Sequence, residues 1–360
     1  MEIIEKVRAV IGGGKHLLHE PWLKGNELAY VREVLASGHL SAGSWVNRLE
    51  DYFADFLGAR YAIAVVNGTC GLHAMIQTLP KKDVYRIPSL TFVATANAFT
   101  YGGHKIKFVE HDGYCDCPVD VLGHPHFQIA GMRDSAQALG SKLHGRYIGS
   151  QGTCIFSFNQ NKIITGGSGG IITTDDEGVA REIRHLITTA RIEHVYKTAH
   201  DAIAYNYRMS DVTAAILVAQ MEQLPLILKA KRALAMKYKE VFGQDFWDEP
   251  QAIGSPYKDI NRDVSQCSKT INLQIPTLNK TDKAPRSNFW LNAVRVPEDE
   301  LYVNIEALHK VDIMAKPLYE PIHRLIPYKD CEHDDLPRTE KLVRQVILLP
   351  SSPKLGMRYL

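Results

Sequence analysis

The sequence contains few cysteines and no long apolar segment. Six cysteines in 360 residues are too few for a disulfide scaffold, and Cys115-x-Cys117 lacks both the Cys-x-x-Cys spacing and a second pair that would complete a zinc site. We therefore predict no metal centre. No apolar run reaches the roughly 20 residues that span a bilayer, and the amphipathic, acidic stretch Met1–Lys6 does not resemble a signal peptide. These absences predict a cytoplasmic protein.

The sequence also lacks an excess of charge of either sign. Lys and Arg number 42 and Asp and Glu number 40, which leaves a net charge of +2. This balance argues against a nucleic-acid partner or an acidic membrane surface. The hydrophobic share of 45% and the charged share of 23% are typical of globular proteins and exclude low-complexity disorder. A chain of this length predicts about two domains.

The glycine clusters do not form a nucleotide-binding fingerprint. Gly12–Gly14 would need a further glycine where Leu17 stands, so a dinucleotide-binding turn, and with it a nicotinamide oxidoreductase, is disfavoured. A P-loop is excluded because Lys15 is followed by histidine and lacks the upstream glycine. The denser cluster Gly166–Gly170 fits two interpretations, a flexible hairpin loop or part of a ligand site.

The first half of the chain alternates strand-like and helix-like segments, which predicts an α/β domain with a mostly parallel, mixed sheet flanked by helices. Thr69 stands at the N-cap position of a helix over 70–79. Ser89 and Thr91 are expected to cap a second helix. The strand-like segments are Tyr61–Val66, Tyr85–Pro88, Lys105–Glu110, Phe127–Met132, Thr153–Phe158 and Gly170–Thr174.

The second half begins with a long helix and ends in a smaller domain. Ser210 precedes a helical pattern over 211–242, which we expect to link the two domains. Residues 243–287 are polar and contain Pro and Gly without periodicity, so a long surface excursion is predicted. The predicted division is a large domain over 1–230 and a smaller C-terminal α/β domain over 231–360, with strand-like segments at Phe289–Val296 and Val311–Lys316.

Four features of the first half are each weak alone and informative together. Lys162 lies between a predicted strand and Gly166–Gly170, where its amine can form an imine with an aldehyde cofactor. Asp134 can hold a pyridinium nitrogen protonated, although a surface or capping carboxylate is the commoner role. The helix start at Asn67–Thr69 suits a phosphate, and Phe92 can stack on a planar ring or belong to the core. Together they predict a site for pyridoxal 5'-phosphate.

Five blocks of the sequence carry a resemblance to a known family. They are Asn67–His73, Pro88–Ala98, Asp134–Gly140, Ser157–Thr165 and Tyr205–Asp211. In their order and in most of their spacings these blocks resemble the DegT/StrS-type sugar aminotransferases. The resemblance covers roughly residues 17–242, with weaker matches at 287–292 and 349–352. Within the family, the chain is most similar to enzymes that aminate UDP-4-keto-6-deoxy-N-acetylglucosamine.

The resemblance implies a fold-type-I transaminase that works as a homodimer with active sites at the subunit interface. It implies that Lys162 is the Schiff-base lysine and that Asp134 pairs with the pyridinium nitrogen. Some relatives carry histidine at the lysine position and dehydrate their substrate, so Lys162 argues against that branch. The remaining implied cofactor contacts are Gly68, Thr69 and Ser157 at the phosphate, Phe92 on the ring, Gln137 at the ring or its 3'-oxygen, and Asn206 at the phosphate of the neighbouring subunit's cofactor.

Two departures from the family pattern affect this expectation. Between Glu110 and Asp134 the chain is roughly a strand and a helix shorter than the family implies. We expect a peripheral βα unit to be missing there and the sheet to close differently. Conversely, residues 250–286 are interpreted as an insertion. The shortened segment leaves a second hypothesis open, in which the chain is a binding or regulatory protein on the same fold whose catalysis is lost.

The reaction implied by the resemblance is transfer of the amino group of L-glutamate to a nucleotide-linked 4-keto-6-deoxy sugar, in the biosynthesis of amino sugars for cell-surface glycans. Arg208 is a candidate for binding a carboxylate or phosphate because its planar fork suits either, and a structural interfacial arginine is the alternative. His323 and His194 are candidates for contacting the sugar, with a surface role as the alternative for His194.

Overall fold

The computed structural model describes residues 2–128, 130–192, 194, 196–248 and 286–360. The predicted surface excursion over 243–287 and the insertion over 250–286 therefore lie largely outside the described residues. The predicted α/β architecture is confirmed, since a mixed sheet is flanked by helices on the N-terminal side of the chain and a smaller sheet follows on the C-terminal side.

Four strands form the central sheet in the order β1-β8-β7-β4. They are β1 (Tyr61–Val65), β4 (Met132–Asp134), β7 (Thr153–Ser157) and β8 (Gly170–Thr174). The β4–β7 pair is parallel, whereas β1–β8 and β7–β8 are antiparallel. The expectation of a mostly parallel arrangement is therefore not met in these strands. The reason is local, because β7 and β8 are joined by a loop without a crossover helix, and only an antiparallel pair can be joined in that way.

The shortened segment supplies a rudimentary strand that extends this sheet. The parallel strands β2 (Tyr85–Pro88) and β3 (Ile106–Val109) form a separate pair. Asp116 N donates to a β2 carbonyl at 2.7 Å, and Val119 forms a parallel bridge with Asp134 on β4. Residues 116–120 thus connect the β2–β3 pair to the central sheet, so what would be a full strand is reduced to a few residues.

A buried ion pair holds the shortened segment together. Arg133 Nη1 lies 2.5 Å from Asp120 Oδ1, and both side chains are nearly inaccessible to solvent. Ser135 Oγ donates to Asp120 Oδ2 at 2.7 Å, and His126 N donates to Asp120 Oδ1 at 2.8 Å. The carboxylate of Asp120 therefore compensates the Arg133 charge and organises the loop that replaces the expected helix.

The helices of the N-terminal half partly correct the predicted caps. Asn67, rather than Thr69, is the N-cap of α4, since its Oδ1 accepts from Cys70 N at 2.8 Å. Ser89 and Thr91 do not cap α5, which begins at Val93 without a side-chain cap, because their hydroxyls bond to other side chains instead. The helices are α1 (Glu2–Ile11), α2 (Glu27–Ser37), α3 (Ser44–Leu57), α4 (Gly68–Gln77), α5 (Val93–Tyr101) and α6 (Glu177–Ile187).

The long helix α7 (Asp211–Phe242) has the predicted bounds, and Ser210 caps it by accepting from Thr213 N. By length and composition the stretch Asp211–Asp245 could cross a membrane, but 61% of its most apolar window is buried inside the protein. The helix packs against α2 and α3 on one side and against α1 on another. An apolar core helix of a globular protein has the same composition.

The C-terminal part forms a three-stranded antiparallel sheet in the order β11-β13-β12. The predicted strand at Val311–Lys316 is largely wrong, since β12 (Lys316–Pro317) covers only its end, and β13 (Val346–Leu349) was not predicted. Helix α1 joins this part in one apolar cluster, while the division at residue 230 stays a prediction.

The other elements are β11 (Asn292–Arg295), α8 (Leu301–His309), α9 (Pro337–Val343), α10 (Pro353–Met357), the short strands β5 (Lys142–Leu143), β6 (Arg146–Tyr147), β9 (Arg191–Ile192) and β10 (Ala199–His200), and 3-10 turns at Val121–Gly123, Gly243–Asp245, Glu298–Glu300, Ile322–Arg324 and Ile326–Tyr328.

Candidate active site

Lys162 lies in a turn after β7, with its backbone N–H donated to Asn159 O at 2.9 Å. Its Nζ sits over the ring of Trp290, 4.2 Å from the ring centroid. Trp290 is held in place in turn by its Nε1, which donates to Asn161 O at 2.5 Å. Burial lowers the pKa of the Lys162 amine to about 8, although the nearby Asp134 charge opposes this shift. About a tenth of this amine is therefore uncharged and nucleophilic at pH 7, far more than for an exposed lysine.

The glycine cluster Gly166–Gly170 forms the hairpin loop between β7 and β8. Gly169 has φ of 116°, a backbone conformation that favours glycine, and its N–H donates to Val66 O at 3.0 Å. Ser168 Oγ donates to the same carbonyl at 2.7 Å. Of the two interpretations, the structure shows the hairpin loop, anchored to the end of β1 beside the Lys162 turn.

Asp134 ends β4 as a buried carboxylate with two hydrogen bonds. Thr95 Oγ1 donates to Asp134 Oδ2 at 2.7 Å, and Ala136 N donates to Oδ1 at 3.0 Å. Thr91 and Thr95 share a further hydroxyl contact of 2.7 Å. Burial raises the pKa of Asp134, whereas Thr95, Ala136 and the charge of Lys162 lower it. The hydrogen bonds and the Lys162 charge therefore do not fully offset the cost of burying the ionised Asp134 carboxylate. A cationic N–H group placed against it would stabilise its ionised form.

The start of α4 is tightly packed against β7. A Cβ on Gly68 would lie 2.9 Å from Ser157 Cβ, so glycine alone fits without displacement. The N–H groups of the first helical turn have no intrahelical partner, and the helix dipole adds positive potential there. Thr69 is half-buried in the same turn. These groups match the phosphate end predicted from the sequence. Phe92, directly before α5, is 58% exposed, so its ring face is open for stacking.

Gln137 uses its side-chain oxygen within the protein. Its Oε1 accepts from Leu122 N at 2.7 Å, which fixes the 3-10 turn of the shortened segment. Its backbone carbonyl accepts from Asn288 Nδ2 at 2.9 Å, and Asn288 Oδ1 in turn accepts from Trp290 N at 2.8 Å. Gln137 therefore connects the shortened segment to the residue that covers Lys162.

Asn206 and Arg208 lie on an extended segment between two other elements. Tyr205 N donates to Leu186 O at 2.8 Å, and on the other side Val66 N donates to Tyr207 O at 2.8 Å. The tyrosines on either side of Asn206 stack with centroids 4.8 Å apart. Asn206 and Arg208 are exposed, so the segment presents both side chains to the surface of the subunit.

The two candidate histidines differ in their surroundings. His323 contacts Ser89 Oγ at 2.7 Å through Nδ1 and Glu340 Oε1 at 2.9 Å through Nε2. Burial, followed by the charges of nearby His333 and Arg324, lowers its pKa. His194 is exposed, and its Nδ1 accepts from Tyr196 N at 3.2 Å. The structure therefore embeds His323 beside the end of β2 and leaves His194 on the surface.

One further cluster within the described residues resembles a metal site. Glu110, His111 and Asp112 bring their ligand atoms within 4.8 Å of one another. However, Glu110 accepts from Thr339 Oγ1 at 2.6 Å, from Thr339 N at 2.9 Å and from Arg338 N at 2.8 Å. These bonds account for its carboxylate as a cap of α9, so the cluster gives no ground for a metal assignment.

Two residues that the sequence did not single out belong to this site. Thr95 bonds the carboxylate of Asp134, and Trp290 covers Lys162. Thr95 lies in the first turn of α5, and its hydroxyl also contacts Thr91 Oγ1, four residues earlier and just before the helix, at 2.7 Å. Trp290 follows Lys162 at a distance in sequence that no local pattern bridges.

The residues present fit pyridoxal 5'-phosphate. Asp134 offers an under-compensated carboxylate for the ring nitrogen, and Lys162 offers a desolvated amine whose pKa responds to Asp134. The packed start of α4 at Gly68 gives a positive helix end for the phosphate, and Phe92 leaves a ring face open. Each chemical part of the cofactor therefore has a matching group in the structure.

Comparisons with known proteins agree with this assignment. The sequence profile described as the DegT/DnrJ/EryC1/StrS aminotransferase family matches residues 21–121, 126–246 and 257–358. The GDP-perosamine synthase of Escherichia coli O157:H7 is 29% identical, with 94% of each chain covered. That of Caulobacter vibrioides is also 29% identical, with 88% of this chain and 87% of the relative covered.

Solved structures share the fold. The Helicobacter pylori aminotransferase PseC, involved in the biosynthesis of pseudoaminic acid, superposes with a TM-score of 0.78 at 19% identity, covering 96% of this chain and 97% of that one. The aminotransferase TlmJ from Streptoalloteichus hindustanus gives 0.77 at 23% identity, with 94% of each covered. The PMP form of the sugar aminotransferase Spr1654 from Streptococcus pneumoniae gives 0.77 at 18% identity, covering 96% of this chain and 98% of that one.

Proposed function

The chain belongs to the DegT/DnrJ/EryC1/StrS aminotransferase family, and we propose that it transfers the amino group of L-glutamate to a nucleotide-linked 4-keto-6-deoxy sugar. The observation that carries this proposal is the pairing of a desolvated Lys162 amine with the buried Asp134 carboxylate, each of which shifts the pKa of the other. An amine that is partly neutral near pH 8 can both accept and return a proton, which a transamination requires.

Pyridoxal 5'-phosphate is the cofactor of this enzyme, and when bound it supplies an electron sink for the carbon that carries the transferred nitrogen. Asp134 would hold a proton at the ring nitrogen, because its carboxylate accepts hydrogen bonds and gains a cationic partner there. Lys162 Nζ would move the proton between substrate carbon and cofactor carbon. Thr95 keeps the Asp134 carboxylate in place through its 2.7 Å hydrogen bond.

The nucleotide and sugar are the narrower part of the proposal. The relatives named GDP-perosamine synthase support a nucleoside-diphosphate-linked sugar as the substrate class. The expectation of UDP-4-keto-6-deoxy-N-acetylglucosamine stays a prediction, and a GDP-linked 4-keto-6-deoxy hexose is the alternative that these names favour. We place the reaction in amino-sugar biosynthesis for cell-surface glycans and the enzyme in the cytoplasm.

The proposed assembly is a homodimer that shares its active sites. Asn206 and Arg208 are exposed on a segment that backbone hydrogen bonds hold on both sides, which supports their action on a second subunit. Mixing a Lys162→Ala protein with an Asn206→Trp protein tests this directly. If Asn206 acts across the interface, one site in each mixed dimer regains both native residues and activity returns. Failure to recover activity, despite demonstrated subunit exchange, would contradict the shared site.

The experiment that tests the function is a coupled assay with L-glutamate and a panel of UDP-, dTDP- and GDP-linked 4-keto-6-deoxy sugars. We expect 2-oxoglutarate to form with at least one ketosugar and not without one. Borohydride reduction of the purified yellow protein, followed by peptide mapping, should label Lys162. Cofactor absorbance with no ketosugar-dependent turnover would instead support the binding or regulatory hypothesis.

A further inference from the structure

The segment His19–Trp22 contains buried nitrogen atoms that the protein leaves without partners. Among the described residues, neither ring nitrogen of His19 has a hydrogen-bond partner, although both are shielded from solvent, and the same holds for Trp22 Nε1. Buried polar groups are normally hydrogen-bonded, and an unsatisfied one costs about 1–3 kcal/mol. Orphaned groups in a native fold therefore call for a specific explanation, and a bound ligand is one.

Two sets of contacts fix this segment beside Lys162. On one side, Gln220 Nε2 donates to Trp22 O at 2.7 Å, while its Oε1 accepts from Thr165 N, three residues beyond Lys162. The same amide group thus touches the His19–Trp22 segment and the loop that carries the reactive lysine.

On the other side, Lys231 makes the connection. Ser351 N donates to Leu18 O at 2.7 Å, and Lys231 Nζ donates to Ser351 O and, at 2.6 Å, to Trp290 O. The ring of Trp290 lies against Lys162 Nζ. Leu18, the residue before His19, is therefore linked through Ser351 and Lys231 to the tryptophan that covers the Lys162 amine.

The electrostatics of the histidine agree with this placement. Burial, followed by the charges of Lys231 and Lys162, lowers the pKa of His19 well below its usual value. The ring is therefore neutral near pH 7, and a neutral imidazole has one N–H donor and one nitrogen acceptor. A sugar hydroxyl also has both a donor and an acceptor, whereas a carboxylate has acceptors only. The neutral ring matches a hydroxyl better than it matches the carboxylates of an amino-acid donor.

We propose that His19 binds a ring hydroxyl of the sugar substrate and so positions the keto carbon near Lys162. This inference rests on the proposed function, since it concerns the ketosugar half of that reaction. A site built to bond a hydroxyl discriminates strongly against its loss, because its own polar groups are then left unpaired. His19 thereby selects hydroxylated sugar substrates and plays no part in binding L-glutamate.

The two half-reactions of the holoenzyme separate these roles. We compare wild type with His19→Leu, which keeps the size but loses both nitrogens, and with His19→Asn, which keeps a donor and an acceptor. His39→Leu, at an exposed histidine, is the matched control. Stopped-flow absorbance measures the L-glutamate step and then the ketosugar step, with UDP- and GDP-linked 4-keto-6-deoxy sugars as probes.

For His19→Leu we expect the L-glutamate step to stay within about twofold of wild type, and the second-order rate constant of the ketosugar step to fall about 10- to 100-fold. His19→Asn should recover part of that loss. Calorimetry provides a readout besides activity. In His19→Leu the Kd for bare UDP or GDP should be unchanged, and the Kd for the amino-sugar nucleotide product should rise about tenfold.

The opposing outcomes are distinct. An equal loss in both half-reactions, or no loss in either, would overturn the assignment of His19 to the sugar. A weaker affinity for the bare nucleotide would place the histidine at the nucleotide and overturn it too. If wild type converts no ketosugar while its L-glutamate step is intact, the proposed function fails first, and the role of His19 fails with it.

Discussion

Two lysines of this enzyme are desolvated by the fold, and they differ in what surrounds the amine. Lys231 Nζ donates to two backbone carbonyls, of Trp290 and Ser351. Among the described residues no oxygen acceptor contacts Lys162 Nζ, which faces the ring of Trp290 instead. Burial lowers the pKa of both amines.

The difference agrees with a structural role for Lys231 and with the reactive role proposed for Lys162. A nitrogen that donates to fixed carbonyls is held in one position and cannot leave without stranding them. A nitrogen over an aromatic ring is stabilised without a directional bond, so it can move to form a covalent bond and return. Burial alone therefore does not distinguish the two lysines, whereas the absence of an oxygen acceptor around Lys162, among the described residues, supports the reactive role that we propose for it.

The largest expected effect comes from removing the reactive amine. In Lys162→Ala the overall transamination rate should fall by about 10⁴-fold or more, equivalent to about 5 kcal/mol in the barrier, because no other described group is placed to carry the proton. The melting temperature of the protein should change little. Lys231→Met is the matched control and should keep turnover within about tenfold. A Lys231 variant as inactive as the Lys162 variant would contradict the comparison.

The next effect concerns the carboxylate that faces Lys162. Asp134→Asn keeps the shape but removes the charge, so the ring nitrogen loses the group that keeps it protonated. We expect kcat to fall by about 10²- to 10³-fold, or about 3–4 kcal/mol, with a much smaller change in cofactor affinity. Absorbance titration with pyridoxal phosphate and steady-state kinetics measure the two effects. A near-normal kcat in this variant would contradict a catalytic role for Asp134.

A stability effect with a defined pH dependence is expected for the structural lysine. Burial lowers the pKa of the Lys231 amine below 10.5 in the folded protein. Below pH 10.5 the unfolded chain therefore binds more protons at this residue than the folded protein does. The contribution of Lys231 to the free energy of unfolding consequently rises as the pH increases toward 10.5. Lys231→Met lacks this dependence and leaves two carbonyls unpaired, at about 1–3 kcal/mol. Urea unfolding of both holoenzymes at pH 7, 8.5 and 10 should show the stability deficit of the variant growing with pH. Parallel curves would indicate that Lys231 is charged in the fold.

The smallest expected effect tests the support of Asp134. Thr95→Val removes a hydrogen bond that lowers the pKa of the carboxyl, and kcat should fall by about 3- to 10-fold, or about 1 kcal/mol. Thr173→Val is the control, because Thr173 Oγ1 is buried without a partner, and its removal should leave kcat unchanged. Equal losses in both variants would show that threonine burial, and not the hydrogen bond, matters.

Local patterns predicted the elements whose signals are contiguous in sequence. The helix over 211–242 has an N-cap and apolar periodicity, and the strand that begins at Tyr61 ends at a turn signal, so both were placed within one residue. Asn67 and Thr69 can both form caps, but Asn67 caps α4, because the chain still has extended geometry at Asn67. Such choices depend on one backbone angle that composition does not encode.

The parts that sequence reasoning missed depend on distant contacts. Residues 116–120 connect β2 to β4 through a single hydrogen bond on one side and an isolated bridge on the other, and their own composition gives no signal for this connection. Trp290 and Thr95 join the site through tertiary packing, and the unpartnered nitrogens of His19 are likewise visible only in the folded structure. Lys162 and Asp134, in contrast, were proposed from motifs, and their catalytic roles stay predictions. A motif proposes the reacting groups, and packing decides what surrounds them.

The anchoring of the His19–Trp22 segment has a consequence for how the enzyme is made. Glu20 N donates to Ser352 Oγ at 2.8 Å across a sequence separation of 332 residues. During synthesis the N-terminal segment therefore emerges long before its partners and remains unsatisfied until the C-terminal strands follow. Contacts of such high separation form late and slowly, because the intervening loop must be closed first. The side of the active site that we propose for the sugar would thus be completed last, so a stalled or truncated chain would contain Lys162 and Asp134 without the contacts that hold the His19–Trp22 segment.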